Sequence, residues 1–322
     1  MSKKRMTPAI NEAYVEEMSR DPKVILFGED VEISMFGDTR GLHAQFGHAR
    51  IRNTPISEMA IMGMAVGAAM AGYRVICHLM FANFMYMGFD SIANQATKLR
   101  LMTGGQARVP VVFVGAYGGG TSTAAQHSDS PYPLLMNLGG INVVAPSNAA
   151  DAKGLMKSAI RSNSPSFFFL PRTRAGALTE VPDGEHVVPF GRASILREGS
   201  DATIVAIGPC VSHALAAAET LAKEGINVEV IDPRTLVPFD NESVLASVAK
   251  THRLVIADEA RESCSAASQI AAIVSDRGFR DLHAPIKRVT TPNMPLPYAP
   301  QIERALLPDA VKIVAAVRQT LT

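Results

Sequence analysis

A chain of 322 residues, 47% hydrophobic and 19% charged, buries a sizeable core and has the length for two domains, or for one large α/β domain with an appendage. Its net charge of +1 argues against a surface dominated by nucleic acid or anionic membrane. Cys77, Cys210 and Cys264 are odd in number and form no CxxC pair, which excludes a disulfide framework or a zinc cluster of the usual spacing. A reducing cytosol fits, and the opening MSKKRMTPAINEAY has no apolar core of a secretory signal. The uncharged runs are Gly- and Ala-rich and broken by turn signals, so no membrane span is expected.

Residues 7–20 read as a helix, and Val24–Gly28 (VILFG) as a buried strand that ends in Glu29 and Asp30, where parallel sheets keep their ligand crevices. A Gly-rich loop, 36–47, and Ile51–Arg52 lead to a helix that opens at Glu58. Val75–Leu79 is a second strand, and 80–102 reads as one helix carrying Phe81, Phe84 and Tyr86. Val109–Val114 is a third strand, followed by GAYGGGTSTAAQHSDS, whose single imidazole is His127. A lone loop histidine is usually a solvated surface group. One held by a Gly-rich loop just after a strand's carboxyl end also suits proton transfer. Strands at 141–146 and 167–170 flank a helix at 151–161, so the alternation predicts a mostly parallel sheet with helices on both faces. Periodicity lapses over 171–190, which places the domain boundary there and divides the chain into 1–185 and 186–322. A second βα series follows: strands at 203–208, 227–232 and 254–260, helices at 210–224, 241–250 and 265–276, a proline-rich stretch, and a last helix at 309–321.

The segment TPISEMAIMGMAVGAAMAGYR, Thr54 to Arg74, stands out. Thr54-Pro55 reads as a turn, Ser57 as an N-cap, and Glu58 as an acid in the first turn of a helix with no other charge. Gly63, Gly67 and the alanines leave parts of that helix bare, so it is expected to be wrapped by protein on most sides. Glu58 then has two readings: a carboxylate that suits the helix dipole, or an acid kept dry with a raised pKa that exchanges a proton with a ligand. The neighbouring segments favour the second. Methionines 59, 62, 64, 70, 80, 85, 87 and 102 crowd the same region, as core filling or as an adaptable subunit surface.

GEDV, TPISE with its Gly/Ala helix, NQATKLRLMTGGQ, AAQHS, DAKGLMKSAI, VIDPRTLVPFD and VTTPNMPLPYAP occur in that order. With these motifs the chain resembles, over nearly its whole length, the β subunit of the thiamine-diphosphate-dependent first component of 2-oxoacid dehydrogenase complexes, the group serving pyruvate, branched-chain 2-oxoacids and acetoin. The resemblance implies an α/β pyrimidine-binding domain followed by a transketolase C-terminal-like α/β domain. It implies that Glu58 hydrogen-bonds ring nitrogen N1′ of the cofactor, that Ile56 and Phe84 also bind the cofactor, Phe84 by stacking on its pyrimidine, and that His127 assists proton or acyl transfer. Glu29 would belong to an acidic path linking active sites. Some members bind potassium through backbone oxygens, at positions that correspond here to Val111, Ala159, Ile160, Ser162 and Ser164. It further implies an α subunit in an α2β2 heterotetramer, a dihydrolipoyl acyltransferase core as a further partner, and transfer of an acyl group from a 2-oxoacid or acetoin to lipoamide. A two-subunit carboligase without a lipoyl partner is the alternative.

Thiamine enzymes hold the diphosphate and Mg²⁺ with a Gly-Asp-Gly motif, and none occurs here; Gly37-Asp38-Thr39 is a poor substitute. The chain is therefore expected to supply half a site, with diphosphate and Mg²⁺ held by the α subunit. The match frays at His78, where relatives commonly carry an acid, at ARESCSAASQ, and at Arg172 and Arg174. These arginines read either as linker charges or as forks for a carboxylate or phosphate.

Overall fold

The computed structural model describes residues 2–173 and 177–322, which leaves Arg174 outside the described residues. The chain forms two compact units: residues 2–117 with 134–190, and residues 118–133 with 191–322. The division at Phe190 falls within the stretch of lapsed periodicity. The transfer of 118–133 to the second unit has no counterpart in the sequence pattern.

The first unit contains β1 (Ser2–Lys4), α1 (Met6–Arg20), β2 (Val24–Gly28), α2 (Leu42–Phe46), β3 (Ile51–Asn53), α3 (Glu58–Met70), β4 (Arg74–Phe81), α4 (Leu99–Met102) and β5 (Val111–Tyr117). The chain returns to it through α5 (Tyr132–Met136) and adds β6 (Asn142–Val144), α6 (Ala149–Arg161), β7 (Ser166–Pro171) and β8 (Thr179–Val181). Its sheet runs β6-β7-β5-β4-β2-β3, every pair parallel, while β1 and β8 form a small antiparallel ribbon. The strands are continuous apolar runs because both faces are covered, and β5 is buried along its whole length. Ile10, Tyr14 and Met18 of α1 and Leu155, Met156 and Ile160 of α6 close one face over Leu26, Ile76, Val112 and Phe168.

Three expectations change here. Ile51–Asn53 is an edge strand paired to β2, not a mere lead-in. The segment 80–102 is broken: β4 runs on to Phe81, a 3₁₀ stretch covers Ala82–Gly88, a wide π-type turn covers Ser91–Ala96, and α4 ends it. Gly88 explains part of the break, since a Cβ there would lie 2.7 Å from Met62 Sδ and 3.0 Å from the Glu58 carbonyl oxygen. And α3 is not wrapped on most sides. It buries Ile61, Met62, Ala65, Val66 and Ala69 but leaves Met59, Met64 and Met70 exposed, and a Cβ on Gly67 would meet nothing within 4 Å. Ser57 stands at its N-cap, but the hydroxyl makes no capping bond.

The second unit contains β9 (Ser194–Arg197), β10 (Ala202–Ala206), α7 (Cys210–Ala222), β11 (Val228–Asp232), β12 (Thr235–Val237), α8 (Asn241–Thr251), β13 (Leu254–Arg261), α9 (Ala266–Arg277), β14 (Lys287–Thr291), α10 (Pro300–Leu306) and α11 (Ala310–Leu321). Its sheet is β14-β13-β10-β11-β9, parallel except for β9. Helix starts follow their caps: Asp240, Ser265 and Asp309 each accept from the backbone N–H three residues on. The sequence pattern passes over β9 and β14, short edge strands carrying charge, and over α10, which starts at Pro300 inside the proline-rich stretch. Among the described residues no helix is long and apolar enough to cross a membrane.

Candidate active site

The carboxyl edge of the first unit's sheet gathers the residues singled out in sequence. Gly28 closes β2 against β4, since a Cβ there would fall 2.2 Å from the His78 carbonyl oxygen. Glu29 follows at once, and Asp30, at φ 52°, turns the chain away. The Thr54 N–H donates to Gly28 O at 3.0 Å, which fastens the start of the TPISE turn to the same strand end. Glu58 then opens α3 close enough to act on Glu29. Burial first, then the charges of Glu58 and Asp30, raise the Glu29 carboxyl above its usual range. The Glu58 charge therefore reaches the Glu29 carboxyl at the end of β2. Thr54 Oγ1 is buried beside this turn with no hydrogen-bond partner among the described residues.

An aromatic group stands on the same edge. After His78 the register of β4 against β5 shifts, and Met80 takes φ 58°, a strained value for a bulky residue. His78 holds the kink. Its Nδ1 accepts from the Met80 N–H at 3.2 Å, so Nε2 carries the proton and donates to Asp38 Oδ2 at 3.2 Å, both side chains being buried. Phe81 meets Phe36 and Phe84 edge-on, each at 5.4 Å between centroids, and the Arg172 guanidinium lies 5.0 Å over the Phe81 ring. Phe84 is half-buried, and Ile56 is 75% exposed beside Glu58 in the chain. Arg172, read in sequence as a linker charge or as a fork for an anion, also covers an aromatic ring.

His127 belongs to the second unit, half-buried in a 3₁₀ turn, Ala125–His127. Its loop is held by acids that sequence reading missed. Glu303, fully buried, accepts from the N–H groups of Gly120 and Ser122, both at 2.9 Å. Glu259 lies under Gly118, where a Cβ would fall 2.5 Å from its Oε2, and accepts from the Gly119 N–H. Burial, with a smaller push from Asp258 and Glu303, drives the Glu259 carboxyl up to about 8. Arg261 pairs with Asp129 at 2.6 Å, and the Tyr132 hydroxyl donates to Asp258. Each partner is distant in sequence, so the only local signal is the pair of acids at the carboxyl end of LVIADEA.

Four of the five carbonyls considered for potassium already have donors. Arg74 Nη1 donates to Ile160 O at 3.0 Å and to Ser162 O at 2.9 Å, and its Nη2 to Asn163 Oδ1 at 2.8 Å. Ser162 N–H donates to Ala159 O and Ser162 Oγ to Ser164 O, while Val111 opens β5. A guanidinium thus lies on the Ile160 and Ser162 carbonyls and local donors on those of Ala159 and Ser164, an arrangement that fits a potassium ion poorly.

A parallel α/β unit with a carboxylate pair and an aromatic at its carboxyl edge, followed by a second α/β unit, is the transketolase type of two-domain protein, and comparison with known proteins agrees. Residues 2–176 match the transketolase pyrimidine-binding domain and residues 191–313 the transketolase C-terminal domain. The chain is 44% identical to the β subunit of acetoin:2,6-dichlorophenolindophenol oxidoreductase of Bacillus subtilis, covering 98% of this chain and 96% of that one. It is 41% identical to the 2-oxoisovalerate dehydrogenase subunit beta of Bacillus subtilis and 42% identical to the pyruvate dehydrogenase E1 component subunit beta of Rickettsia felis, each alignment covering 97% of this chain and 96% of the relative. Among solved structures, a split-gene transketolase described as an inactive β4 tetramer superposes with a TM-score of 0.82 at 26% identity over 99% of both chains. The chain belongs to this thiamine-diphosphate-dependent transketolase-type family, in the branch of the first-component β subunits of 2-oxoacid and acetoin dehydrogenases.

The site residues fit part of that cofactor. A carboxylate pair, an aromatic face, an orphaned buried hydroxyl at Thr54 and the apolar lip of Ile56 suit a protonatable aromatic ring. They do not fit its metal-bridged end, because Asp38 of Gly37-Asp38-Thr39 is buried against His78.

Proposed function

We propose that this chain is the β half of a two-subunit thiamine-diphosphate oxidoreductase. With an α subunit, in an α2β2 assembly, it decarboxylates a 2-oxoacid or cleaves acetoin and passes the acyl group to lipoamide on an acyltransferase partner. The observation that carries this reading is the Glu29–Glu58 pair on the same sheet edge as Phe84, in a chain whose one Gly-Asp candidate is turned inward. When bound, thiamine diphosphate supplies the weak carbon acid whose deprotonated form attacks a carbonyl carbon. Glu58 would share a proton with ring nitrogen N1′, while burial first, and then the charges of Glu58 and Asp30, hold the Glu29 carboxyl above its usual range. Phe84 would offer its ring face to the pyrimidine, and Ile56 would cover that end of the cofactor. His127 is assigned proton or acyl transfer. The α subunit is assigned the diphosphate and Mg²⁺.

The test is co-expression with candidate α subunits, followed by cofactor binding and a screen of 2-oxoacids and acetoin. Glu58→Ala in the assembled enzyme is expected to lower turnover by about 100-fold or more, the scale of a lost general acid. Unchanged turnover, or tight Mg²⁺-dependent cofactor binding by the isolated chain, overturns the split-site reading. The likeness to a split-gene transketolase supports a second reading, a carboligase without a lipoyl partner. Recovery of a lipoyl-domain acyltransferase with the complex favours the first; carboligation by α and β alone favours the second.

A further inference from the structure

The loop between Glu29 and β3 carries a side-chain cluster that the proposed reaction does not use. Glu32 lies three residues past Glu29, His43 on α2, and His48 on the turn after it. Glu32 Oε1 stands 3.3 Å from His48 Nδ1 and 3.8 Å from His43 Nε2, and the three ligand atoms all lie within 4.8 Å of one another. A tetrahedral ion with bonds of about 2.0–2.1 Å spaces its ligands about 3.4 Å apart. The Glu32–His48 edge matches that as it stands, and the Glu32–His43 edge, at 3.8 Å, is close to it.

The cluster is also built, not merely crowded. Glu32 is oriented from outside it: its N–H donates to Asn53 Oδ1 at 2.9 Å, and its Oε1 accepts from the Asn53 N–H at 3.1 Å. The backbone at both histidines is anchored, with the Gly47 N–H donating to His43 O at 2.9 Å and Arg52 Nε to His48 O at 3.1 Å. Three ligands from three points of one loop therefore converge on a half-exposed surface, where water can reach a fourth position. Two imidazoles with one carboxylate suit zinc, nickel or cobalt and are poor ligands for magnesium or calcium.

We propose that Glu32, His43 and His48 bind one divalent transition-metal ion of the zinc class, with water completing its shell. Such an ion ties the start of the loop that leaves Glu29 to α2 and to the turn before β3. It latches the loop and takes no part in the chemistry.

The untagged, metal-free full chain is titrated with Co²⁺ and then with Zn²⁺. The expected result is one Co²⁺ per chain with visible ligand-field bands, displacement by Zn²⁺, and a melting temperature that rises with free Zn²⁺. The His43→Ala, His48→Ala double variant is expected to lose the bands, and Glu32→Gln to weaken binding by about tenfold or more. Cys264→Ser, at an exposed cysteine, leaves both unchanged. His48→Gln alone, checked by circular dichroism, separates lost ligation from lost folding. No stoichiometric uptake by the wild-type chain, or equal uptake by the folded double variant, overturns the proposal.

Discussion

Burial pushes the Glu259 carboxyl up to about 8, well above its ordinary value of 4.5. The folded chain thus keeps a proton that the unfolded chain has released, and stability falls as pH rises from the ordinary carboxylate range to about 8, then levels off. Within that window the slope from this one group approaches about 1.4 kcal/mol per pH unit. Glu259→Gln keeps an acceptor for the Gly119 N–H and removes the titration. The variant should therefore gain on the wild type as pH rises, in urea denaturation at about pH 6 and about pH 8.5. A constant difference would mean that Glu259 ionises normally in the folded chain. The same residue shows where sequence reading stops. Glu29 and Glu58 sit in recognisable motifs, whereas Glu259 and Glu303 act on the His127 loop through contacts that only folding creates.

At the scale of elements, α1 and α6 are joined by an interior charge network. Glu17 is fully buried; it accepts from Arg161 Nε at 3.0 Å and from Arg20 at 2.7 Å and lies 4.0 Å from the buried Lys157. Glu16 pairs with both Lys153 and Lys157, and Glu12 with Lys153. Removing Glu17 takes from Arg161 the carboxylate it grips with two nitrogens, while Lys157 keeps Glu16 and Glu185, so Glu17→Ala should cost about 1.5–3 kcal/mol. Glu12→Ala, at the exposed rim, should cost about 0–1 kcal/mol. Denaturant midpoints of the two variants decide it, and similar losses would argue against an interior pair. Most elements are legible in sequence because their apolar periods are long and their caps local. The 80–102 segment is not, since its breaks come from the Met80 kink held by His78 and from the tight seat of Gly88 on α3.

At the scale of the whole molecule, the exposed side of α3 is the feature that a lone chain leaves incomplete. Met59, Met64 and Met70 face outward beside a glycine with open space around it. A surface of thioethers and bare backbone suits close packing by another polypeptide. A Cβ on Gly67 meets nothing within 4 Å in the isolated chain, so the melting temperature of Gly67→Leu should hold or rise, helped by better helix propensity. Co-purification with the α subunit should fall sharply. Stoichiometric assembly of the variant would place the partner elsewhere.

Sequence alone determined the two α/β domains, the family, and the motif acids Glu29 and Glu58, because hydrophobic period, turn chemistry and motif order are local properties of the chain. Tertiary structure decided that Glu29 and Glu58 share an edge, that His78 and Asp38 lock the kink behind Phe84, and that Arg74 occupies carbonyls otherwise considered for a cation. It also decided that α3 keeps one side bare. Those outcomes depend on distances between residues far apart in the chain, which no local pattern encodes.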